Sequence, residues 1–203
     1  MSNNYLLPLA YLGPIYYYAI LKQKKCLLEK NEFFIKQSIR NRCEIYNANG
    51  RLKLSIPKKR KSSSKTAINK IEISYSQNWQ KIHWNSIVSS YNSSPYFEFY
   101  KDNFLSLYLS NNEEFLFDFN LKLQRILMEI LEIDKKINFT THYNKSGSFT
   151  DLRNLNWSNI KIKKYDQVFM EKYGFQHNLC VLDLIFNLGP NSSAYLDELV
   201  IDI

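Results

Sequence analysis

The chain is short of the residues that punctuate and cross-link small folds: 203 residues carry five glycines, five prolines, three cysteines and three histidines. With so little glycine and proline and no repeat period, collagen-like and solenoid architectures are excluded. No glycine-rich phosphate loop, GxSxG elbow, HExxH or EF-hand pattern is present. Cys26, Cys43 and Cys180 are odd in number, far apart and without CxxC spacing. They argue against a disulfide framework or a structural zinc site and for reduced thiols in a cytoplasmic protein. Neither a metal nor a cofactor is expected.

A long apolar run is also missing. Ser2 to Leu21 has no charge and is followed by Lys-Gln-Lys-Lys, but a secretory signal carries its positive charge before the apolar run. Pro8, Gly13, Pro14 and five tyrosines interrupt the stretch, which a spanning helix of about 20 apolar residues would not tolerate. No membrane span is expected. The segment reads instead as a strand over Leu6–Leu12, a break at Gly13-Pro14, and a helix from Pro14 to about Lys22. Cys26-Leu27-Leu28 then forms a second strand, completing the footprint of a parallel β-α-β unit.

What the chain does have is apolar mass, at 45% hydrophobic and 15% aromatic, and an uneven charge. Residues 36–65 hold ten Lys/Arg and one acid, Glu44; the remainder is close to neutral. One basic segment on a neutral body points to an anionic partner at that segment. Within it, the stretch from Phe33 to Pro57 reads as a hairpin turning at Asn49-Gly50. Its second arm alternates cleanly, with Leu52, Leu54 and Ile56 against Arg51, Lys53 and Ser55. Its first arm would set Phe34, Lys36, Ser38, Arg40 and Arg42 on one side and Ile35, Gln37, Ile39, Asn41 and Cys43 on the other. That arm is more polar than packing requires. The serine-rich basic run at 58–65 reads as a mobile, solvated loop.

Downstream, Ile68 to Tyr75 predicts a further strand. Trp79–Tyr91 predicts a helix packed through Trp84, Ile87, Val88 and Tyr91, with His83 on the flank. Two short helices are expected over 96–109. Phe115, Phe117 and Phe119 alternate as if extended, before a helix through Leu131 capped by Asp118 or Asn120. Residues 134–164 look irregular, with a short β-like stretch at 139–143. A helix over 165–173 closed by Gly174 and another over 178–187 closed by Gly189-Pro190 end the chain. The fold class expected is one α/β domain spanning 1–203: a mixed β-sheet begun by the parallel unit, one β-hairpin, and a largely helical C-terminal half.

The motifs YLGPIYYYAIL, KQSIRNRCEI, ANGRLKLSIP, WQKIHW, YNSSPYFEFY, DFNLKL and NLCVLDLIFNLGP, in this order, resemble the WbqC-like protein family over nearly the whole chain. The resemblance implies a role in bacterial surface polysaccharide (O-antigen) biosynthesis, as a transferase moving an acyl or aminoacyl, glycine-type group to an activated amino sugar. Two positions depart from the pattern expected of relatives. Leu188 stands where an acid is expected, and Cys180 where a serine is.

The candidate substrate-binding residues are Lys36, Ser38, Arg40, Asn41 and Arg42. Arg offers a planar fork and Lys a point charge to a phosphate or carboxylate, such as that of a nucleotide sugar. The alternative for the arginines is a structural ion pair, for instance with Asp183. His83 is the candidate general base, since imidazole titrates near neutral pH; its alternative is a core-edge histidine. Asp183, inside an apolar helix face, is the second catalytic candidate and needs a partner or a proton. The competing function is a non-catalytic protein that binds an anionic ligand or nucleic acid through residues 36–65. Nucleic acid is disfavoured, because no RNA-binding signature accompanies the basic run.

Overall fold

The computed structural model describes residues 4–60, 65–109, 113–145 and 149–203. The chain opens with β1 (Asn4–Pro8), α1 (Ile15–Gln23) and β2 (Cys26–Glu29), and the two strands pair in parallel, Leu6 opposite Leu27. Pro14 stands just before the helix in extended conformation, where its missing N–H goes unneeded. Every residue of α1 from Ile15 to Leu21 is buried. A helix apolar all round belongs in a core, and the protein's own packing takes up Leu6–Leu21 of the uncharged stretch. No helix among the described residues is long and apolar enough to cross a membrane.

The hairpin consists of β3 (Arg42–Asn47) and β4 (Gly50–Ser55), a two-stranded antiparallel sheet of its own. Cys43 faces Leu54 and Ile45 faces Leu52, and these pairs pack inward; Glu44 opposite Lys53 faces out. The turn sits one residue earlier than predicted. Asn47 and Gly50 close the loop, the side-chain oxygen of Asn47 accepts the Asn49 N–H at 2.8 Å, and Gly50 takes φ 98°. A glycine in the left-handed region at this position lets the turn run straight into the strand.

The first arm is shorter than predicted. Residues 36–41 form turns, so Lys36, Ser38 and Arg40 do not alternate along a strand. Gln37 adopts φ 57°, which breaks an extended run, and the backbone N–H groups of Asn41 and Arg42 both donate to Ser38 O. Ile68–Tyr75 is also not a strand. A single 3-10 turn (Ile68–Lys70) is followed by isolated bridges of Ile73 to Lys58 and of Glu72 to Phe115, with Ile68, Ile71 and Ile73 buried. The start of the 58–65 run is held rather than mobile, since Lys59 pairs with Glu72 through both backbone and side chain. Lys61 to Ser64 lie outside the described residues.

Helices dominate the rest of the chain. α2 (Trp79–Tyr91) matches the expected bounds, but its buried face is Trp79, His83, Ile87 and Tyr91. His83 is therefore central to that face, not on its flank. Residues 97–109 form one continuous helix, α3, rather than two. α4 (Leu116–Ile130) takes in Phe117 and Phe119, two of the three phenylalanines whose alternation suggests a strand, while Phe115 stays extended as its N-cap. Leu116, Phe119, Leu123 and Leu127 form its buried stripe, and helical periodicity outweighs the short period-two signal.

Within the segment read as irregular, β5 (Phe149–Asp151) adds to the free side of β1, again parallel, giving the sheet order β2-β1-β5. The stretch at 139–143 supplies only a bridge from Phe139 to Leu28. The helix predicted over 165–173 shrinks to α5 (Met170–Tyr173). α6 (Val181–Leu188) and α7 (Asn191–Glu198) complete the chain, and α7 has no counterpart among the elements expected from sequence. Gly189 ends α6 at φ 54°, and a Cβ there would fall 2.4 Å from a Tyr96 ring carbon, so both conformation and space require glycine. The result is a mixed α/β fold with a parallel three-stranded sheet, an antiparallel hairpin and a helical C-terminal half.

Candidate anion-binding cavity

All three parallel strands point their C-terminal ends the same way, with β1 in the centre. Open parallel sheets bind ligands in the crevice beyond those ends, where the chain departs to either side of a central strand. A cavity of about 310 Å³ lies there. Its walls are Leu12 and Pro14 after β1, residues 35–40 and the start of β3, residues 153–158 after β5, and Asn178 with Cys180 before α6. Four stretches distant in sequence thus meet at one end of the sheet.

Beneath this cavity lies a buried ionic layer. Arg40, 1% exposed, is clamped by Glu32: Nε donates to Oε1 at 2.6 Å and Nη2 to Oε2, while Nη2 also reaches Arg153 O at 3.2 Å. Burial raises the Glu32 carboxyl above its ordinary value, and the Arg40 hydrogen bonds offset only part of that rise. Arg153 makes a fork to Asp151 (2.9 and 2.6 Å) and sits 3.5 Å from Glu29, and that hydrogen bonding holds Asp151 below its ordinary value. Glu29, fully buried at the end of β2, accepts from Thr140 Oγ1 at 2.6 Å and from the Asn31 and Asn144 N–H groups at 2.9 and 3.1 Å. Pairing of this kind is the condition for keeping charges out of water.

After that pairing, two cations on the cavity wall have no carboxylate partner among the described residues: Lys36, which is exposed, and Arg42, whose Nε donates to Ser55 Oγ at 2.9 Å. Glu44, the remaining acid on the wall, is offset by Arg51 at 2.8 Å and Lys53 at 3.5 Å. The N-termini of α1 and α6 come together at Pro14 and Cys180, which bridge each other; the Ile15 N–H donates to Leu179 O, the Tyr16 N–H to Asn178 Oδ1 and the Val181 N–H to Gly13 O. With these N–H groups already donating, the free charge on the wall is that of Lys36 and Arg42. The free electrostatics of the cavity are therefore positive.

The cavity is also where the backbone is most constrained. Four non-glycine residues among those described have positive φ, and three of them line this cavity: Leu12 (44°), Gln37 (57°) and Asn178 (50°). Each such residue is disfavoured by about 1–3 kcal/mol and persists only where its surroundings dictate it. Here Asn178 Oδ1 accepts the Tyr16 N–H at 2.9 Å and its Nδ2 donates to Trp157 O at 2.7 Å. Ile39 O accepts the Tyr11 N–H at 2.8 Å, tying the Leu12 turn to the 35–40 wall. Strain concentrated around one concavity is characteristic of a binding site.

Of the residues predicted from sequence, Lys36, Ser38, Arg40 and Arg42 line the cavity together. Asn41 is not on its wall; its Nδ2 donates to Ile56 O at 3.1 Å and serves the hairpin. His83 is not on the wall either. It is buried against Trp79, with Nδ1 2.8 Å from the Tyr11 hydroxyl, which in turn lies 2.9 Å from that of Tyr108. Burial lowers its pKa to about 4, so at neutral pH it is an uncharged core histidine. Asp183 is fully buried away from the wall, and its partner is no arginine. Tyr165 Oη at 2.5 Å and Gln167 Nε2 at 2.8 Å both donate to Oδ2.

Asp183 Oδ1 has no partner at strict hydrogen-bond geometry, although the Tyr91 hydroxyl is near enough to favour the ionised form. Burial still wins and raises this carboxyl to about 6. Leu188, at the far end of α6, is off the wall as well, whereas Cys180 is on it beside Cys43. Burial, and then contact with the Cys180 thiol, push the Cys43 thiol up. Among the described residues no cluster of His, Cys, Asp and Glu could hold a metal ion.

The residues missed from sequence are Leu12, Gln37, Asn156 and Asn178, together with Arg153. A run such as Arg-Asn-Leu-Asn-Trp-Ser (153–158), polar and poor in periodicity, is the kind of loop that carries ligands. Nothing local links it to Lys36. Fold and cavity together define an α/β protein whose parallel sheet presents a positively charged crevice at its carboxyl ends. Residues 5–157 match the model of the WbqC-like protein family, well over half the chain, and the protein belongs to that family. The matched range includes most of the cavity wall but stops short of Ser158, Asn178 and Cys180. Neither a curated protein nor a solved structure matches the chain.

Proposed function

We propose that this protein is a cytoplasmic transferase that holds an anionic metabolite, of the activated amino-sugar class, in the cavity and passes an acyl or aminoacyl group to or from it. The observation that supports this most directly is the Lys36 and Arg42 charge, without a carboxylate partner among the described residues, on the wall of a constrained crevice. Lys36 and Arg42 would hold the phosphate or carboxylate, and Ser38 would add a hydroxyl. Arg40 and Arg153 would act from behind, keeping the wall in position. At about 310 Å³ the cavity is at the small end of ligand sites, and it suits the sugar-phosphate end of a nucleotide sugar better than the whole molecule. The transfer chemistry and the polysaccharide setting rest on the family resemblance.

A second reading has its own observation in favour. His83 and Asp183, the acid–base candidates, both lie off the cavity, as a binding protein without acid–base chemistry would have them. One experiment separates the two. Thermal shift with nucleotide sugars, aminoacyl donors and short RNA should reveal stabilisation by the metabolites, about 2.7 kcal/mol at a hundredfold excess over Kd. Incubating the bound sugar with a donor and weighing the product then tests transfer. Stabilisation by RNA alone, falling steeply with salt, would overturn the metabolite reading.

A further inference from the structure

The opposite end of the sheet holds a second recess that the cavity's function does not use. Lys24 and Lys25 follow α1, and Cys26 begins β2; with Met128 of α4 and residues 135–138 they enclose a space of about 310 Å³. A neighbouring space of about 420 Å³ continues from it past Leu121, Ile133 and Phe139, and Met128, Lys135, Lys136 and Ile137 line both. The segment that forms the outer wall is held to the sheet edge, since Leu28 N–H donates to Asn138 O at 2.8 Å and Thr140 N–H to Leu28 O at 3.1 Å.

The floor of this groove is apolar and the rim is cationic. Leu21, Leu28, Met128 and Ile133 are buried beneath it. Lys24, Lys25, Arg125, Lys135 and Lys136 stand around it, and Glu129 is the one acid on either wall among the described residues. Lysines near helix C-termini can be explained by the helix dipole, and Lys135 Nζ does donate to Lys24 O at 3.0 Å. That explanation is too small. The ends of α1 and α4 supply roughly half a negative charge each. With Glu129 they offset about two of the five cations, leaving an excess near +3.

We propose that this groove binds a free anionic amphiphile, a single hydrocarbon chain ending in a phosphate or carboxylate, with the chain along Leu28 and Met128 and the head among Lys24, Lys135 and Lys136. The shape favours a monomeric ligand over a bilayer. A surface that docks on membranes projects its apolar side chains, whereas here they are recessed, and among the described residues none of the large exposed hydrophobics lines either space. Lys24 and Lys25, the second half of the Lys-Gln-Lys-Lys run that follows the apolar N-terminal stretch, thereby gain a role at the mouth of a pocket.

Isothermal titration with dodecyl phosphate below its micelle-forming concentration tests the proposal, alongside inorganic phosphate, dodecanol and phosphatidylglycerol vesicles. Dodecyl phosphate should bind at least about tenfold more tightly than either half-ligand. Lys135→Glu with Lys136→Glu, both at exposed positions, should weaken it about tenfold, and Ile137→Trp should do so by filling the groove. Arg42→Gln should leave it unchanged. Equal binding of inorganic phosphate, indifference to the charge reversal, or binding to vesicles alone would each overturn the assignment. The charge-reversed protein should keep its melting temperature, so a lost signal cannot be put down to unfolding.

Discussion

Arg40 and Arg42 are two residues apart in the same basic segment, and the structure gives them opposite surroundings. Arg40 is buried, neutralised by Glu32 and further engaged by Arg153 O. Arg42 begins a strand, has no carboxylate partner among the described residues and borders the cavity beside Lys36. The same side chain is scaffold in one place and free charge in the other. What separates them is a turn at Gln37–Asn41 that rotates Arg40 inward. Net charge in a segment therefore says little about how much of it is available to a ligand until the acids it meets are known.

The largest expected effect falls on the scaffold half of that pair. Arg40→Ala should destabilise the fold by about 3–5 kcal/mol in urea or guanidinium unfolding, since it strands a buried Glu32. Removing both charges together, as Arg40→Met with Glu32→Leu, should cost far less than the sum of the single changes. If Arg40→Ala were harmless to stability but abolished ligand binding, the division between the two arginines would collapse.

Next come the two buried titrating groups that the sequence offers for catalysis. Asp183 is raised to about 6 from an ordinary 3.8. It therefore contributes stability that is full below about 3.8 and lost as pH rises through 6, on the order of 3 kcal/mol. His83 is lowered to about 4 from 6.5, so its contribution is present above 6.5 and is lost as pH falls through 4. The two oppose each other over the same window. Asp183→Asn should make unfolding free energy fall more steeply between pH 6.5 and 4 than in the unaltered protein, and His83→Phe should make it fall less. Neither substitution should change the affinity of the cavity for its ligand, and a loss of affinity would place these residues nearer the site than their geometry does.

The free half of the comparison gives a smaller energetic effect with a larger functional one. Lys36→Gln and Arg42→Gln should each weaken metabolite binding about tenfold or more, with stability changed by less than about 1 kcal/mol, because exposed and half-paired charges contribute little to folding. The smallest effect is at the hinge between the halves. Gln37→Gly should relieve the positive φ and shift stability by about 1 kcal/mol or less, while loosening the loop that carries Lys36 and weakening binding more than its lack of charge would suggest.

Much of this architecture is legible in the sequence. The parallel unit can be read because Pro14 marks a helix start and the apolar runs on either side have strand length. The hairpin can be read because Leu52, Leu54 and Ile56 alternate. The misreadings share one cause: short apolar patterns are ambiguous, and tertiary packing chooses between them. Phe117 and Phe119 join a helix because Leu123 and Leu127 continue its stripe, and Ile68 to Tyr75 buries its isoleucines without forming a ladder. His83 reads as the flank of α2, and a shift of one helical position puts it in the core.

Composition and order of residues by themselves determined the fold class, the family, the positive charge of residues 36–65 and the place of four cavity residues along the chain. The family follows from the resemblance of its motifs, and the rest from local periodicity, turn chemistry and counting, which a linear reading captures. Only the tertiary structure decided which charges remain free. Glu32 reaches Arg40 across a turn, Glu29 and Asp151 meet Arg153 from two different strands, and Asp183 finds Tyr165 and Gln167 instead of an arginine. Desolvation acts on whatever is brought together in space, and sequence distance carries no record of that. Lys36 and Arg42 are left without a carboxylate partner among the described residues because the acids of the neighbouring walls were folded into other pairs.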